Sequence, residues 1–175
     1  MNIYLDIPRV SDLESLEEIY IISFPPEERR PWAQIMMPVA VEGPRLRAVY
    51  DSDSGECAGF ITYWLFDTFV YVEHFAVNPA IRGGGVGSCA LKAFIGSMGR
   101  PVVLEVEPAD AVDPMAPRRI EFYRRHGFEI LDYDYIQPPY APGLPSVPLK
   151  LMSTDSSVDA GVVASVLHSK VYGQL

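Results

Sequence analysis

Cysteine is scarce in this chain: Cys57 and Cys89 are the only two in 175 residues. One pair does not make a disulfide framework, so free thiols and a reducing, cytoplasmic setting are expected. Three histidines occur, and none is spaced with Cys, Asp or Glu as a metal-ligand set, so no metal is expected. No apolar run approaches the roughly 20 residues of a membrane span, and Met1 to Arg9 does not read as a basic, apolar leader. Neither a membrane partner nor a targeting segment is expected. Positive charge is in deficit, with 14 Lys and Arg against 23 Asp and Glu and a net charge of −9. That balance argues against a nucleic-acid backbone as partner. It suits a cationic amine, although many globular proteins are simply acidic.

What is present is an ordinary globular composition, 49% apolar and 21% charged, without repeats. The length suits one domain with a real core. Ile3 to Ile7 alternates as a short strand. Ser11 and Glu14 are spaced as a capping box, and Leu13, Leu16, Ile19, Tyr20 and Ser23 then recur at helical spacing until Pro25 and Pro26. A short helix is predicted at Trp32 to Met37. Arg45–Tyr50 and Cys57–Phe66 read as a hairpin around Asp51-Ser52-Asp53-Ser54-Gly55, followed by a strand at Phe69 to Val77. Further on come a helix at Gly85 to Met98, a strand at Pro101 to Glu107, a helix at Arg118 to His126 stopped by Gly127, and strands at Phe128–Ile136 and Val147–Met152. A terminal helix is predicted from about 158 to 172. This order predicts an α/β chain (α+β in character) with a central mixed, mostly antiparallel sheet and helices on both faces.

The stretch Val70 to Ser88 carries the functional signal. It reads as a buried strand, a turn, a run of glycines and then the start of a helix. Glycines at such a turn let main-chain N–H groups approach a ligand, and the helix adds unpaired N–H groups and the positive end of its dipole. Together they make a phosphate site. The triphosphate loop would need a lysine where Ser88 follows Gly87. The dinucleotide fingerprint fails at Ser88 in its third glycine position, although Glu105 lies near the place of a ribose-binding acid. Arg82, Gly85 and Gly87 match Arg/Gln-x-x-Gly-x-Gly/Ala in full.

That loop resembles the acetyl-coenzyme A loop of the GCN5-related N-acetyltransferases, and Phe75-Ala76-Val77-Asn78-Pro79 resembles the strand end before it. Downstream, Phe122-Tyr123 with Gly127-Phe128 resembles the family's Phe-Tyr-x-x-x-Gly-Phe helix end. The resemblance covers roughly residues 1–152. One departure is that Ala116 and Arg119 stand where the family often has Asn and Ala, so an asparagine contact to the pantetheine arm is not expected.

The resemblance implies a single N-acetyltransferase domain over 1–175, with acetyl-CoA as co-substrate and direct attack by an amine. It implies that Arg82, Gly83, Gly84, Gly85, Val86, Gly87 and Ser88 hold the pyrophosphate, and that Phe75, Ala76 and Val77 line the pantetheine arm. Glu73 is the candidate general base. Strict alternation would point Tyr71, Glu73 and Phe75 one way and Val72, His74 and Ala76 the other. Burial in an apolar strand is expected to raise the Glu73 pKa toward a useful range. Tyr123 is the candidate acid that protonates the leaving thiolate. Phe24, Glu27, Glu28 and Tyr71 are candidate acceptor contacts, with Tyr133, Tyr135 and Tyr140 as a further wall. The acceptor is a small-molecule or peptide amine, and a homodimer is left open. A non-catalytic acyl-CoA sensor and a nucleotide-cofactor enzyme are the competing readings.

Overall fold

A computed structural model describes residues 2–37, 43–81 and 84–173. It divides into two compact units, Met1–Arg100 and Pro101–Leu175. In the first, β1 (Ile3–Asp6), β2 (Arg45–Asp51), β3 (Cys57–Leu65) and β4 (Val70–Val77) form an antiparallel meander in that order. The β2–β3 turn closes through the Gly55 N–H bonded to the Asp51 carbonyl at 2.7 Å, with Gly55 at φ +74°. Helices α1 (Leu13–Ser23) and α2 (Trp32–Met36) bury Leu16, Ile19, Tyr20 and Ile35 against Ala48, Tyr50, Phe60 and Ala76 on one face of this meander. On the other face α3 (Val86–Ser97) packs Val86 and Ala90 against Val49 and Ala58. Alternate residues of β2 thus feed two cores, which is why its apolar run is nearly continuous.

The expected capping box does not form. Ser11 lies inside a short 3₁₀ turn, Val10–Asp12, and its hydroxyl meets the Asp12 carboxylate instead. Asp12 itself accepts from the Tyr50 hydroxyl at 2.8 Å, so tertiary contact has taken the carboxylate that could have capped α1.

The largest departure from simple alternation is a bulge in β4. His74 pairs with Thr62 but Val72 pairs with Tyr63, which leaves Glu73 as the extra residue. Tyr63 meets Phe94 of α3 edge to face, so Tyr63 and its partner Val72 face α3. Trp64, Tyr71, Thr62 and His74 face the α1 side. Phe75 returns to the α3 side. The parity that grouped Glu73 with Phe75 and sent His74 away is therefore corrected: the bulge resets the alternation in mid-strand.

In the second unit β8 (Val147–Ser153) pairs antiparallel with β5 (Val102–Val106), β6 (Glu129–Ile130) and β7 (Tyr135–Gln137). The single strand expected at Phe128–Ile136 is two. The chain turns between them, where the Tyr133 N–H bonds the Leu131 carbonyl at 2.9 Å and Leu131 is buried in the core. Helix α4 (Ala116–Arg124) ends as expected at Gly127, φ +85°, with the Phe128 N–H bonded back to the Tyr123 carbonyl. Arg119, the departure noted above, pairs with Glu107 and Asp113 and so ties the loop before α4. The terminal helix is shorter than expected. Asp159 caps α5 (Ala160–Val166) through the Gly161 and Val162 N–H groups, and a π-helical turn, Leu167–Val171, follows.

Candidate active site

The glycine turn opens α3 directly. Arg82 and Gly83 lie outside the described residues, whereas Gly84 and Gly85 are exposed. Gly85 sits at φ +81°, a left-handed conformation that other residues rarely take. A Cβ placed on it would have no atom within 4 Å beyond its chain neighbours. The first helical bond runs from the Cys89 N–H to the Gly85 carbonyl at 3.0 Å. The N–H groups of Val86, Gly87 and Ser88 therefore have no acceptor within the helix. No acidic residue stands in the first turn of α3. Buried Val86 anchors the turn, and half-buried Phe75 and Val77 pack on the same cluster, so the end of β4 and the mouth of α3 adjoin. Open space at Gly85, N–H groups without an acceptor in the helix, and a helix dipole suit a pyrophosphate. Ala76 faces the opposite core, with Tyr20 and Phe60.

Glu73 presents a wholly buried side chain. Both of its oxygens are engaged. Trp64 Nε1 donates to Oε2 at 2.8 Å, and Arg30 donates to Oε1 from Nε at 3.1 Å and from a terminal nitrogen at 3.0 Å. Burial alone pushes this carboxyl up, but the Arg30 charge and the hydrogen bonds from Trp64 and Arg30 outweigh it. The carboxyl lies below its usual range, the reverse of the expected elevation. Desolvation dominates only where no cation shares the burial.

Arg30 comes from the loop between α1 and α2. Its guanidinium lies 5.3 Å from the Trp64 ring centre and also donates to Gln34 of α2 at 3.1 Å. The same loop meets His74. A carbonyl only accepts, so the His74 Nε2 proton goes to the Glu28 carbonyl at 2.8 Å, and Nδ1 accepts from the Thr62 hydroxyl at 3.0 Å. Burial holds this imidazole below its usual pKa, hence neutral. Phe24 stands edge-on to His74 at 4.8 Å, and Tyr20 both accepts from the Arg30 N–H and donates to its carbonyl. Of the candidate acceptor contacts, Phe24, Glu27 and Glu28 lie half-buried in this loop, and Tyr71 is fully buried on the strand beneath. Arg30 and Trp64 were not singled out from the sequence. The one available signal was an Arg-Arg pair in an acid-rich chain.

In the second unit the Tyr123 ring lies against Phe122 and Phe128, at 5.4 and 5.6 Å. Its hydroxyl has no hydrogen-bond partner among the described residues. Burial pushes the phenol up to about 12, against a small opposing effect of Arg119. Glu105, where a dinucleotide reading would place its ribose contact, is taken by protein hydroxyls. It accepts from Tyr135, and from Tyr172 at 2.8 Å. Cys57 and Cys89 are free thiols. Among the described residues no cluster of three metal-ligating side chains occurs, and no helix is long and apolar enough to cross a membrane.

Three comparisons bear on this geometry. The sequence profile described as "Acetyltransferase (GNAT) family" matches residues 13–128. A curated relative, "Putative acetyltransferase YjbC" of Bacillus subtilis (strain 168), is 33% identical over 81 residues, 46% of this chain. That match spans 41% of the relative's length. A solved structure from Bacteroides thetaiotaomicron, also named as a putative acetyltransferase of the GNAT family, is 39% identical. It superposes with a TM-score of 0.83 over 98% of this chain and 99% of its own. Arabidopsis thaliana Naa50, solved with a bisubstrate analogue, shares the fold at a TM-score of 0.61 and 23% identity, over 87% of this chain and 98% of its own. The α/β architecture is thus that of the acyl-CoA N-acyltransferases, and the chain belongs to the acetyltransferase (GNAT) family.

Proposed function

We propose that residues 1–175 form one acetyl-CoA-dependent N-acetyltransferase domain that acts in the cytoplasm on a primary amine. The observation that carries this reading is the glycine turn, where a Cβ on Gly85 would meet no described atom within 4 Å and the three N–H groups that open α3 have no acceptor within the helix, in a chain of this family. Support for the ligand also comes from relatives. Arabidopsis NAA60 was solved in complex with acetyl-CoA, and the Naa50 analogue joins CoA to a short peptide. A peptide amine is therefore a reasonable acceptor beside small amines.

When bound, acetyl-CoA supplies the acetyl group as a thioester: the amine nitrogen bonds to the carbonyl carbon, the C–S bond breaks, and the sulfur leaves with the electron pair and takes a proton. Gly84 to Ser88, with Arg82 and Gly83, hold the pyrophosphate. Phe75, Ala76 and Val77 line the pantetheine arm. Glu73 receives the proton of the acceptor ammonium. As its pKa is low, it serves as a proton relay to water rather than as a store. Tyr123, protonated at any working pH, gives a proton to the sulfur. Phe24, Glu27, Glu28 and Tyr71 border the acceptor. Among the described residues neither Cys57 nor Cys89 is hydrogen-bonded to a general base, so direct attack is favoured over an acyl-enzyme.

The test is a screen of amines and peptides with labelled acetyl-CoA, together with thiol release. Acetyl transfer to at least one amine class is expected. Tight acetyl-CoA binding by calorimetry without transfer would favour the sensor. A thermal shift with NAD but none with acetyl-CoA would favour a nucleotide cofactor.

A further inference from the structure

The Glu73 carboxylate is enclosed, and its partners differ in how easily they can leave. Trp64 is fixed in β3 and 6% exposed. His74, adjacent on β4, is spent on the Glu28 carbonyl and Thr62. Tyr20 of α1 is spent on the Arg30 main chain. Arg29 lies in the same loop. Arg30 alone among these is a side chain that reaches from the carboxylate toward solvent, 11% exposed against 0% for Glu73. Its outer side meets Gln34 at 3.1 Å, an exposed hydrogen bond between side chains, and the face of buried Trp64. A cation on the loop between α1 and α2, partly exposed while the carboxylate is not, thus covers Glu73 on its outer side.

We propose that Arg30 is a displaceable internal cation: its guanidinium holds Glu73 ionised and oriented until the ammonium of the acceptor takes its place on Oε1. The identity of the incoming group rests on the N-acetyltransferase reading; the exchange itself rests on the geometry. Arg30 is then a positioning residue that sets acceptor affinity. It makes the site selective for N–H cations, because Glu73 Oε1, which takes both guanidinium donors, must again find a donor once the guanidinium leaves. Trp64 keeps its bond to Oε2 throughout, so its indole N–H reports what happens on the other oxygen.

The test uses the full chain labelled with ¹⁵N, in which the Trp64 indole resonance is told from that of Trp32 by a Trp64→Phe variant. The probe is n-butylammonium chloride, with tetramethylammonium chloride as a cation that has no N–H. Butylammonium should move the Trp64 indole saturably and tetramethylammonium should not. In Arg30→Met, butylammonium should half-saturate at a concentration at least tenfold lower. In Glu73→Gln the indole should not respond. An Arg30→Met half-saturation equal to or above wild type, or an equal response in Glu73→Gln, overturns the exchange. Should Arg30→Met fail to fold, Arg30→Lys, with a single-point donor in place of the fork, should half-saturate below wild type, and no change there also overturns it. The readout needs no acetyl transfer. A protein that titrates as stated but acetylates no amine sinks the transferase reading and leaves the exchange standing. Acetyl transfer with an indole indifferent to butylammonium does the opposite.

Discussion

Gly59 and Ala76 approach so closely that a Cβ on Gly59 would lie 2.2 Å from the Ala76 carbonyl oxygen. The same atom would lie 2.9 Å from the Val77 Cα, so the obstacle is main chain and cannot rotate away. Gly59→Ala should destabilise the protein by about 1–3 kcal/mol, the usual cost of forcing atoms into filled space. Gly99→Ala, where a Cβ meets nothing within 4 Å, is the matched control and should stay within about 0.5 kcal/mol. Chemical denaturation of both variants checks this. Because Val77 ends the strand proposed to line the pantetheine arm, Gly59→Ala should also weaken acetyl-CoA binding.

At the glycine turn, charge and shape can be separated. Gly85→Asn and Gly85→Asp carry side chains of similar size into the same left-handed position, at a comparable conformational cost. Only the aspartate brings a negative charge to the start of α3. Calorimetry should find acetyl-CoA at least tenfold weaker with Gly85→Asp than with Gly85→Asn, while both keep the wild-type circular dichroism. Equal affinities would move the pyrophosphate elsewhere.

The buried Glu73–Arg30 pair ties folding to pH. The folded pKa of Glu73 lies below its unfolded value of about 4.3, so the pair's contribution is fully present above that pH and is lost as pH falls through the folded pKa. Glu73→Gln strands the guanidinium and should cost about 3–5 kcal/mol at pH 7. The gap between wild type and variant should shrink steadily below about pH 4. Denaturation midpoints of both proteins across pH 3 to 7 measure it, and a constant gap would mean that the Glu73 pKa does not change on folding.

Tyr123→Phe removes a hydroxyl that no described residue engages, so stability should barely change. If the phenol protonates the departing sulfur, kcat should fall by about 10²-fold while the KM for acetyl-CoA moves less. With the phenol pushed up to about 12, its ionisation should leave no alkaline limb in the rate profile at accessible pH. Wild-type kcat in the variant would leave Tyr123 as packing alone.

Tyr172 fastens the C-terminal segment to β5 through two contacts with Glu105, at 2.8 and 3.1 Å. Tyr172→Phe should cost about 1.5–3 kcal/mol, typical of hydrogen bonds to a charged group. Limited proteolysis should then release the C-terminal residues faster than in wild type.

Local chemistry wrote much of this protein into its sequence. The apolar stripe of α1, the turn from Asp51 to Gly55, the glycine run before α3 and the left-handed stop at Gly127 all depend on neighbours within a few residues, and all were legible. So was the family, since Arg82 to Ser88 and Phe122 to Phe128 are contiguous motifs. The structure alone decided where Glu73 points and what it meets. The bulge that turns it arises from the mismatch of β3 and β4 register, and Arg30 reaches it from 43 residues away along the chain. The break between β6 and β7 has the same origin, because buried Leu131 is fixed by its bond to Leu151 across the sheet. Alternation and desolvation are one-strand arguments, and they fail where a second strand shifts register or a distant cation shares the burial. The sequence by itself determined most of the elements, the glycine turn before α3 and the family; the tertiary structure decided which charges face one another, because Coulomb interactions and hydrogen bonds act across space and leave no periodic mark along the chain.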